Sequence, residues 1–490
     1  MRIGGLASGM DIDSLVSELM KVERIPLDKI KQKKQTMEWQ RDSYREMNTL
    51  LKELDTFIFD GVSLQSNLTK KSVTSSNELS VTASANASAS NISTNIEVKA
   101  LAKAASWVSN GTEDFVPGAR NISVSVVNGD GSTNSNIIIP ILSTDNLSDV
   151  LKKINEEKKL GITVFHDPQT DKVVVTKNET GSASSLSLDD ADTVTFFQQL
   201  GFTNMSGPGE LTPKTVGTDA TFIINGLESS RTTNTFTINN VNYTLKQPTS
   251  IGNPVTISIS NDTEAILKNI VDFVGKYNDI ISKVNGKISE SKFRSYQPLT
   301  DEQKDSLSDK QIEQWEQKAK SGLIRNDSIL SSGLNAMRLG VFNKVEGIAG
   351  FSQLAEIGIT TSRNYLENGK LLIDETKLRS AINSDPDAIY QMFNNAGTTY
   401  ETTGIAKRLR DSIKQTITKV EEKAGNPLRT NSQFSIGRTL TTIDSQINRF
   451  EDRLTTVEDR YWRQFTAMEK AVQRSNQQSA FLLNAFNSGV

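Results

Sequence analysis

Few residues in this sequence could carry bond-making chemistry. There is a single histidine, His166, and histidine is the side chain whose unperturbed pKa lies nearest neutrality, so paired general-base or zinc chemistry has little to work with. His166 sits in Val164-Phe165-His166-Asp167-Pro168, where a strand runs into a turn. The absence of cysteine excludes disulfides, thiolate metal sites and thiol nucleophiles. Asn128-Gly129-Asp130-Gly131-Ser132 has some of the spacing of a calcium loop, but the twelve-residue version places Ile139 where a bidentate glutamate belongs, and a hairpin turn is the expected state. Asp189, Asp190 and Asp192 could hold a cation; exposed acidic clusters beside a turn are commonly just solvated. Phosphate-cradling loops, the dinucleotide fingerprint, HExxH and GxSxG are absent. A glycosidase needs two carboxyl groups about 5 to 10 Å apart in a cleft, and no pair in the sequence points to one. No catalytic residue, metal or cofactor is therefore expected, and the chain reads as a structural protein rather than an enzyme.

What the sequence does contain is long apolar seams. From Pro26, read as a first helical residue, Ile30, Met37, Tyr44, Met47, Leu51, Leu54 and Ile58 fall on one 3-4 stripe broken by Lys33 and Gln40. Ile436, Leu440, Ile443, Ile447, Phe450, Leu454, Val457 and Tyr461 alternate steps of four and three without a miss, and Phe465, Met468 and Val472 continue after a stutter. A helix over 436–472 would be about 55 Å long. Asp459 and Arg463 lie one turn apart outside this seam, as in a coiled coil. A third segment begins with Asn261 and Glu264 in capping-box spacing and carries Leu267, Ile270, Val274, Tyr277, Ile281, Val284 and Ile288. Each buried apolar side chain contributes about 1.5 to 3 kcal/mol, whereas ordering a backbone residue costs about 1 to 2 kcal/mol. A lone amphipathic rod cannot hold its shape on those terms, so the three seams are expected to pack on one another.

Between the seams the period changes to two. Leu79-Val81-Ala83, Ile122-Val124-Val126, Val241-Tyr243-Leu245 and Val255-Ile257-Ile259 alternate with polar residues, as half-buried antiparallel strands do. Turns fall at Asn128-Gly129-Asp130-Gly131 and Asn225-Gly226. A short helix is expected from Asn146 to Glu157, a pair of surface helices over Thr300 to Lys320, and a flexible joint or polar crossover over Ala83 to Asn91. Both ends carry short apolar clusters, Ile12-Leu15-Val16-Leu19-Met20 and Phe481-Leu482-Leu483-Phe486. Alone they are too short for stable helices; they read as frayed ends or as partner-binding segments, with Leu15, Leu19, Phe481, Leu482 and Phe486 as the expected contacts to partner molecules.

The fold class that follows is multidomain α+β: a long antiparallel helical or coiled-coil bundle from both chain ends, with nested β-rich domains inserted in the middle. The 490 residues exceed one ordinary core and suggest about three or four domains. The expected division is 1–35 and 465–490 as terminal helical segments ordered on assembly, and 36–72 with 262–464 as a helical rod. Within the rod, 354–393 is a small β/α part that could join either rod or β layer. An inner β-rich domain takes 73–107 with 216–261, and an outer one 108–215. The coiled-coil seam is assigned to Met47, Leu51 and Leu54 with Ile443, Ile447, Phe450, Leu454 and Val457. With 55 basic and 58 acidic residues and a net charge of −3, no nucleic-acid or anionic-membrane surface is expected. No apolar run reaches the roughly 18 residues that span a bilayer, and Met1 to Gly5 lacks the pattern of a cleavable signal.

The motifs also resemble a known family. Gly5-Leu6-Ala7-Ser8-Gly9-Met10-Asp11-Ile12-Asp13-Ser14-Leu15-Val16, then Leu19-Met20 and Pro26-Leu27, is similar to the N-terminus of the bacterial flagellar filament cap family, also called hook-associated protein 2. Ile96-Glu97-Val98-Lys99-Ala100-Leu101-Ala102 resembles its first strand, and Ala220 to Gly226 with Asn234-Thr235-Phe236 and Tyr243-Thr244-Leu245 resembles a repeat shared with flagellins. Phe273-Val274-Gly275-Lys276-Tyr277-Asn278, Leu354 to Ile359, Gly369 to Asp374, Lys377-Leu378, Asp385-Pro386 and Phe393 follow in the family's order, and the insertion around Tyr296 to Thr300 and Trp315-Glu316 is similar to that of Gram-positive members. The resemblance implies a ring homo-oligomer at the filament tip, expected to be a pentamer, beneath which flagellin folds and inserts. It implies flagellin and the hook-filament junction protein as partners, an export chaperone on the C-terminal helix, and extracellular delivery through the flagellar channel without a cleaved signal. The alternatives are a surface adhesin, with cell adhesion through the polar β faces, and another flagellar axial protein such as the junction protein itself.

Overall fold

The computed structural model describes residues 9–112, 115–364 and 367–487, the side chains of 485–487 excepted. The chain opens with α1 (Ile12–Asp60) and α2 (Gln65–Leu68). The central strands are β1 (Lys71–Ser75), β2 (Val81–Ala85), β3 (Ser93–Ala100), β4 (Ala104–Val108), β5 (Arg120–Val127) and β6 (Thr133–Ile141). After α3 (Leu147–Glu156) come β7 (Ile162–Asp167), β8 (Lys172–Thr180), β9 (Ser185–Leu188), α4 (Ala191–Gln199) and β10 (Gly209–Glu210). Then follow β11 (Ala220–Ile224), β12 (Leu227–Arg231), β13 (Thr235–Ile238), β14 (Val241–Leu245) and β15 (Val255–Asn261). The return is helical: α5 (Thr263–Ser289), α6 (Asp301–Asp305), α7 (Asp309–Lys320) and α8 (Ser328–Phe342), with a small hairpin of β16 (Ile359–Thr361) and β17 (Leu371–Ile373). It closes with α9 (Glu375–Ser384), α10 (Pro386–Asn394), α11 (Ile405–Ala424) and α12 (Ser435–Asn487).

Two compact units result. One is built from both chain ends, up to Leu68 and from Ile266; the other is Thr69–Ala265. In the first, Tyr44, Met47, Leu51, Leu54 and Ile58 of α1 share one core with α5, α8, α10 and α11. Leu354, Ile357, Leu371, Leu378 and Phe393 belong to this same core, so the segment that could have joined either layer lies in the helical unit. Local signals start these helices where the backbone donors need partners. The Asp327 carboxylate accepts from the Leu330 amide at the head of α8. Asp385 does so for Ala388, with Pro386 as the first residue of α10.

The second unit contains two β modules. The inner one faces a five-stranded sheet, β1-β15-β3-β11-β12, with a three-stranded one, β13-β14-β2. Its core includes Phe222 stacked on Phe236 with ring centroids 4.6 Å apart. The β11–β12 hairpin turns at Asn225 (φ 47°) and Gly226 (φ 87°), the positive-φ pair that a two-residue hairpin requires. The outer module joins β10-β9-β5-β6 and β4-β8-β7 around Trp107, whose indole donates to the Leu211 carbonyl at 2.7 Å. The chain passes between the modules twice, and the two crossings pair: Lys103 and Thr218 exchange backbone hydrogen bonds at 2.9 and 3.0 Å, and Ser106 and Thr215 at 2.9 and 3.0 Å.

Several local expectations are corrected. Pro26 is interior to α1 rather than its first residue. The helix begins at Ile12, where Asp11 accepts from the Ser14 amide at 3.0 Å, and a buried stripe carries it across the proline. The terminal clusters are not separate short helices: residues 12–25 continue α1 and 475–487 continue α12, because a long helix meets the nucleation cost once. Asp262, not Asn261, caps α5, accepting from the Ala265 amide at 3.1 Å, while Asn261 pairs with Lys71 at the end of β15. The Ala83 to Asn91 stretch is not a loose joint, since Ala83 and Ala85 lie in β2 paired with β14 and Ala89 is buried in the inner core. Leu79 lies outside the strand and is 74% exposed.

Candidate docking surface on the terminal helices

The first half of α1 packs antiparallel on α12. Ile12, Val16, Met20 and Leu27 share a core with Ile443, Ile447, Leu454 and Val457, and Phe450, Tyr461, Trp462 and Phe465 pack against it half-buried. Polar pairs cross the seam in the same sense: Lys34 to Asp444 at 2.7 Å, Lys31 to Glu451 at 3.1 Å, and the Tyr461 hydroxyl donating to Glu23 at 3.0 Å. The Asp444 carboxylate holds the Lys34 ammonium above its ordinary pKa. These pairs are exposed enough to set register more than stability.

The assigned seam therefore divides. Met47, Leu51 and Leu54 are buried in the helical core with α5, α8 and α11, whereas Ile443, Ile447, Leu454 and Val457 lie with half-buried Phe450 against the first half of α1. The two sets belong to separate clusters. Ile12, Val16 and Met20, quoted in the sequence only as part of a terminal cluster, join Leu27, Ile30 and Met37 against α12, and their steps of four were the available signal. A second, outward stripe lies on the same segment. Leu15 is 41% exposed, Leu19 39%, Val22 65% and Ile25 49%. Toward the end of α12, Phe481 and Leu482 are 73% and 55% exposed; the Phe486 side chain lies outside the described residues. The structure thus brings no second helix onto these described apolar positions, and what they can offer is non-covalent docking.

A cleft flanks the pair where the start of α6, from its cap Thr300 to Glu302, approaches it, lined in part by Val16, Met20, Leu27, Leu454 and Trp462. Beside it, burial lifts the Asp28 carboxyl above its ordinary pKa; Lys31 pulls the other way and Asp301 adds to the lift.

The residues singled out for chemistry have structural partners. His166 Nε2 lies 2.9 Å from Asp171 in the β7–β8 hairpin. Asp130 accepts from Ser132 within the β5–β6 turn, Asp189 accepts from Ser123, and Asp190 caps α4 through the Thr193 amide. Lys177, which sequence reasoning missed, is 1% exposed and donates to Asn128 Oδ1 at 2.7 Å and the Leu160 carbonyl at 2.9 Å, clamping that turn to the outer module. Among the described residues no group of three His, Asp or Glu side chains is placed to hold a metal, and no helix is long and apolar enough to cross a membrane.

Residues 8–105 match the family described as flagellar hook-associated protein 2 N-terminus, and residues 217–477 match flagellar hook-associated protein 2 C-terminus. The flagellar hook-associated protein 2 of Halalkalibacterium halodurans is 33% identical, covering 99% of this chain and all of its own length. The A-type flagellar hook-associated protein 2 of Pseudomonas aeruginosa is 24% identical across 99% of this chain and 97% of its own. The crystal structure of the D1-D2-D3 domains of the flagellar cap protein FliD from Escherichia coli shares the fold, with a TM-score of 0.59 at 20% identity over 82% of this chain and 99% of that one. Helices from both ends, nested β modules and a full-length sequence match converge, and the chain belongs to the flagellar hook-associated protein 2 family.

Proposed function

We propose that this chain is the structural cap at the distal tip of the bacterial flagellar filament, a ring homo-oligomer with a pentamer as its expected form, beneath which exported flagellin folds and inserts. The observation that carries this reading is the pair of terminal helices with an unpartnered apolar stripe, in a chain that matches its family from end to end. In this reading Leu15, Leu19, Phe481, Leu482 and Phe486 meet neighbouring subunits or flagellin. The hook-filament junction protein is a further partner, and an export chaperone takes the C-terminal helix before passage through the flagellar channel without a cleaved signal. The role is assembly, with no catalytic step. Residues 108–215 serve as an outer module that the capping contacts do not need.

The test is complementation of a strain lacking its own cap gene. A chain without residues 1–25 and 475–490 should remain soluble and folded yet restore no filaments, while mass measurement of the full chain gives the size of the ring. Normal filament growth on the truncated chain would refute the role given to the ends.

A further inference from the structure

Lys177 of β8 is 1% exposed, a costly place for an ammonium group. Its acceptors are neutral oxygens, Asn128 Oδ1 at 2.7 Å and the Leu160 carbonyl at 2.9 Å. Among the described residues no carboxylate forms an ion pair with it, and burial pushes its pKa below the ordinary lysine value, with Glu179 pulling the other way. Burial therefore favours the neutral amine, which is a nucleophile.

The group it touches is an electrophile. With Nζ 2.7 Å from Oδ1 and a carbonyl bond of about 1.23 Å, Asn128 Cγ lies within about 3.9 Å of Nζ. The nitrogen that would leave is held as well: Asn128 Nδ2 donates to the Ser132 hydroxyl at 2.9 Å, and that hydroxyl donates to Asp130 at 2.6 Å. Asn128 precedes Gly129, and the amide of a following glycine is the ordinary attacker of an asparagine side chain. Here the turn is wedged against β8, since a Cβ on Gly129 would fall 1.8 Å from the Thr180 carbonyl oxygen. That backbone has little room to rotate toward Cγ, so Lys177 Nζ is the better placed nucleophile.

We propose that Lys177 and Asn128 join in an intramolecular isopeptide bond, tying the β5–β6 turn of one outer sheet to β8 of the other. The Nζ–Cγ bond forms and the Cγ–Nδ2 bond breaks. Lys177, starting as ammonium, gives up two protons and the departing nitrogen takes up two, so the products are a secondary amide and an ammonium ion, with no co-reactant. The Ser132 hydroxyl, in contact with Nδ2, hands it a proton, and Asp130 orients that hydroxyl. Holding amine and carboxamide in contact gives an effective concentration of about 10⁵ to 10⁸ M, and the product no longer buries a cation. The bond closes a loop between positions 49 apart in a chain with no cysteine for a disulfide. Burial selects the pair: Lys71 lies 2.9 Å from Asn261 Oδ1 but is only half-buried, so its ammonium stays hydrated and unreacted. The bond belongs to the outer module and is independent of the capping role.

Mass spectrometry of the full folded chain reads the reaction. The intact mass should fall about 17 Da, one ammonia, below that of the sequence. Trypsin should release residues 121–152 and 173–214 as one linked species uncleaved after Lys177, and no linked species should contain Lys71. In a time course after cell-free synthesis, Ser132→Ala should lower the linked fraction at early times at least about tenfold, and Ser132→Thr should restore it. A folded chain that keeps or gains mass on prolonged incubation at mildly alkaline pH, or that loses ammonia without linking the two peptides, would overturn the bond.

Discussion

The carboxylate of Asp327 accepts from the Tyr44 hydroxyl at 2.5 Å, the Lys423 ammonium at 2.9 Å and the Leu330 amide at 3.0 Å, so one buried anion joins α1, α8 and α11. Burial alone would raise its pKa, but those three donors together outweigh burial and hold it below the ordinary carboxylate range. The sign follows from linkage. An acid whose folded pKa is depressed contributes stability above its unfolded value, about 3.9, and loses it as pH falls through the folded value. Asp327→Ala should cost about 3 kcal/mol at neutral pH, because Lys423 and Tyr44 lose their shared acceptor. Acid denaturation of the variant should show a shallower pH dependence than the parent below that value; identical profiles would remove Asp327 as a cause. Two leucines of one helix should behave oppositely. Leu51, fully buried, should cost about 3 kcal/mol on truncation to alanine in urea unfolding, whereas Leu15→Ala should change the free chain by less than about 0.5 kcal/mol and show its effect only in filament growth.

At the level of elements, α8 and α11 approach so closely that a Cβ added at Gly333 would meet Thr416 Oγ1 at 2.4 Å and Cγ2 at 2.6 Å. Replacing a helical glycine by alanine ordinarily gains about 1 kcal/mol, but here the overlap is with a buried, branched side chain that also bonds back to Ser412. The steric term should win, with Gly333→Ala destabilising by about 2 kcal/mol and Gly333→Ala with Thr416→Ser recovering part of the loss in the same melting experiment. The existence of α1, α5, α12 and strands such as β5, β14 and β15 was legible in the sequence, because apolar period names the element and its buried face. Which helix each face would meet was not. The stripe from Met47 to Ile58 and that from Ile443 to Val457 have the same spacing and residue types, so periodicity allows them to pair. What separates them is α11, whose Leu409, Ile413 and Val420 fill the place beside the second half of α1, together with the first turns of α1, whose reach was hidden by reading Pro26 as a start. The outward stripe of the terminal segment was partly legible through Leu15 and Leu19. Val22 and Ile25 were not, since with the helix begun at Pro26 they had no face to share.

For the molecule as a whole, the two crossings between the β modules give a direct test of modularity. Ser106 and Thr215 form a backbone-paired couple, the geometry that a two-residue turn closes. Replacing 107–214 by Asn-Gly should leave the inner module folded, with calorimetry showing its cooperative transition retained and the filament-forming ability of a complemented strain largely kept. Loss of that transition would mean the inner sheets depend on the outer ones. A different consequence attaches to the discontinuity of the helical unit. Glu23 and Tyr461 are separated by 438 positions, while Thr69–Ala265 is one unbroken stretch. In any vectorial process that delivers the amino terminus first, the stretch from Thr69 to Ala265 is complete and free to fold while α1 still waits for every helix it needs. Its loop-closure penalty is among the largest the chain can incur, and the helical unit should be the last to gain protection in pulse-labelled refolding.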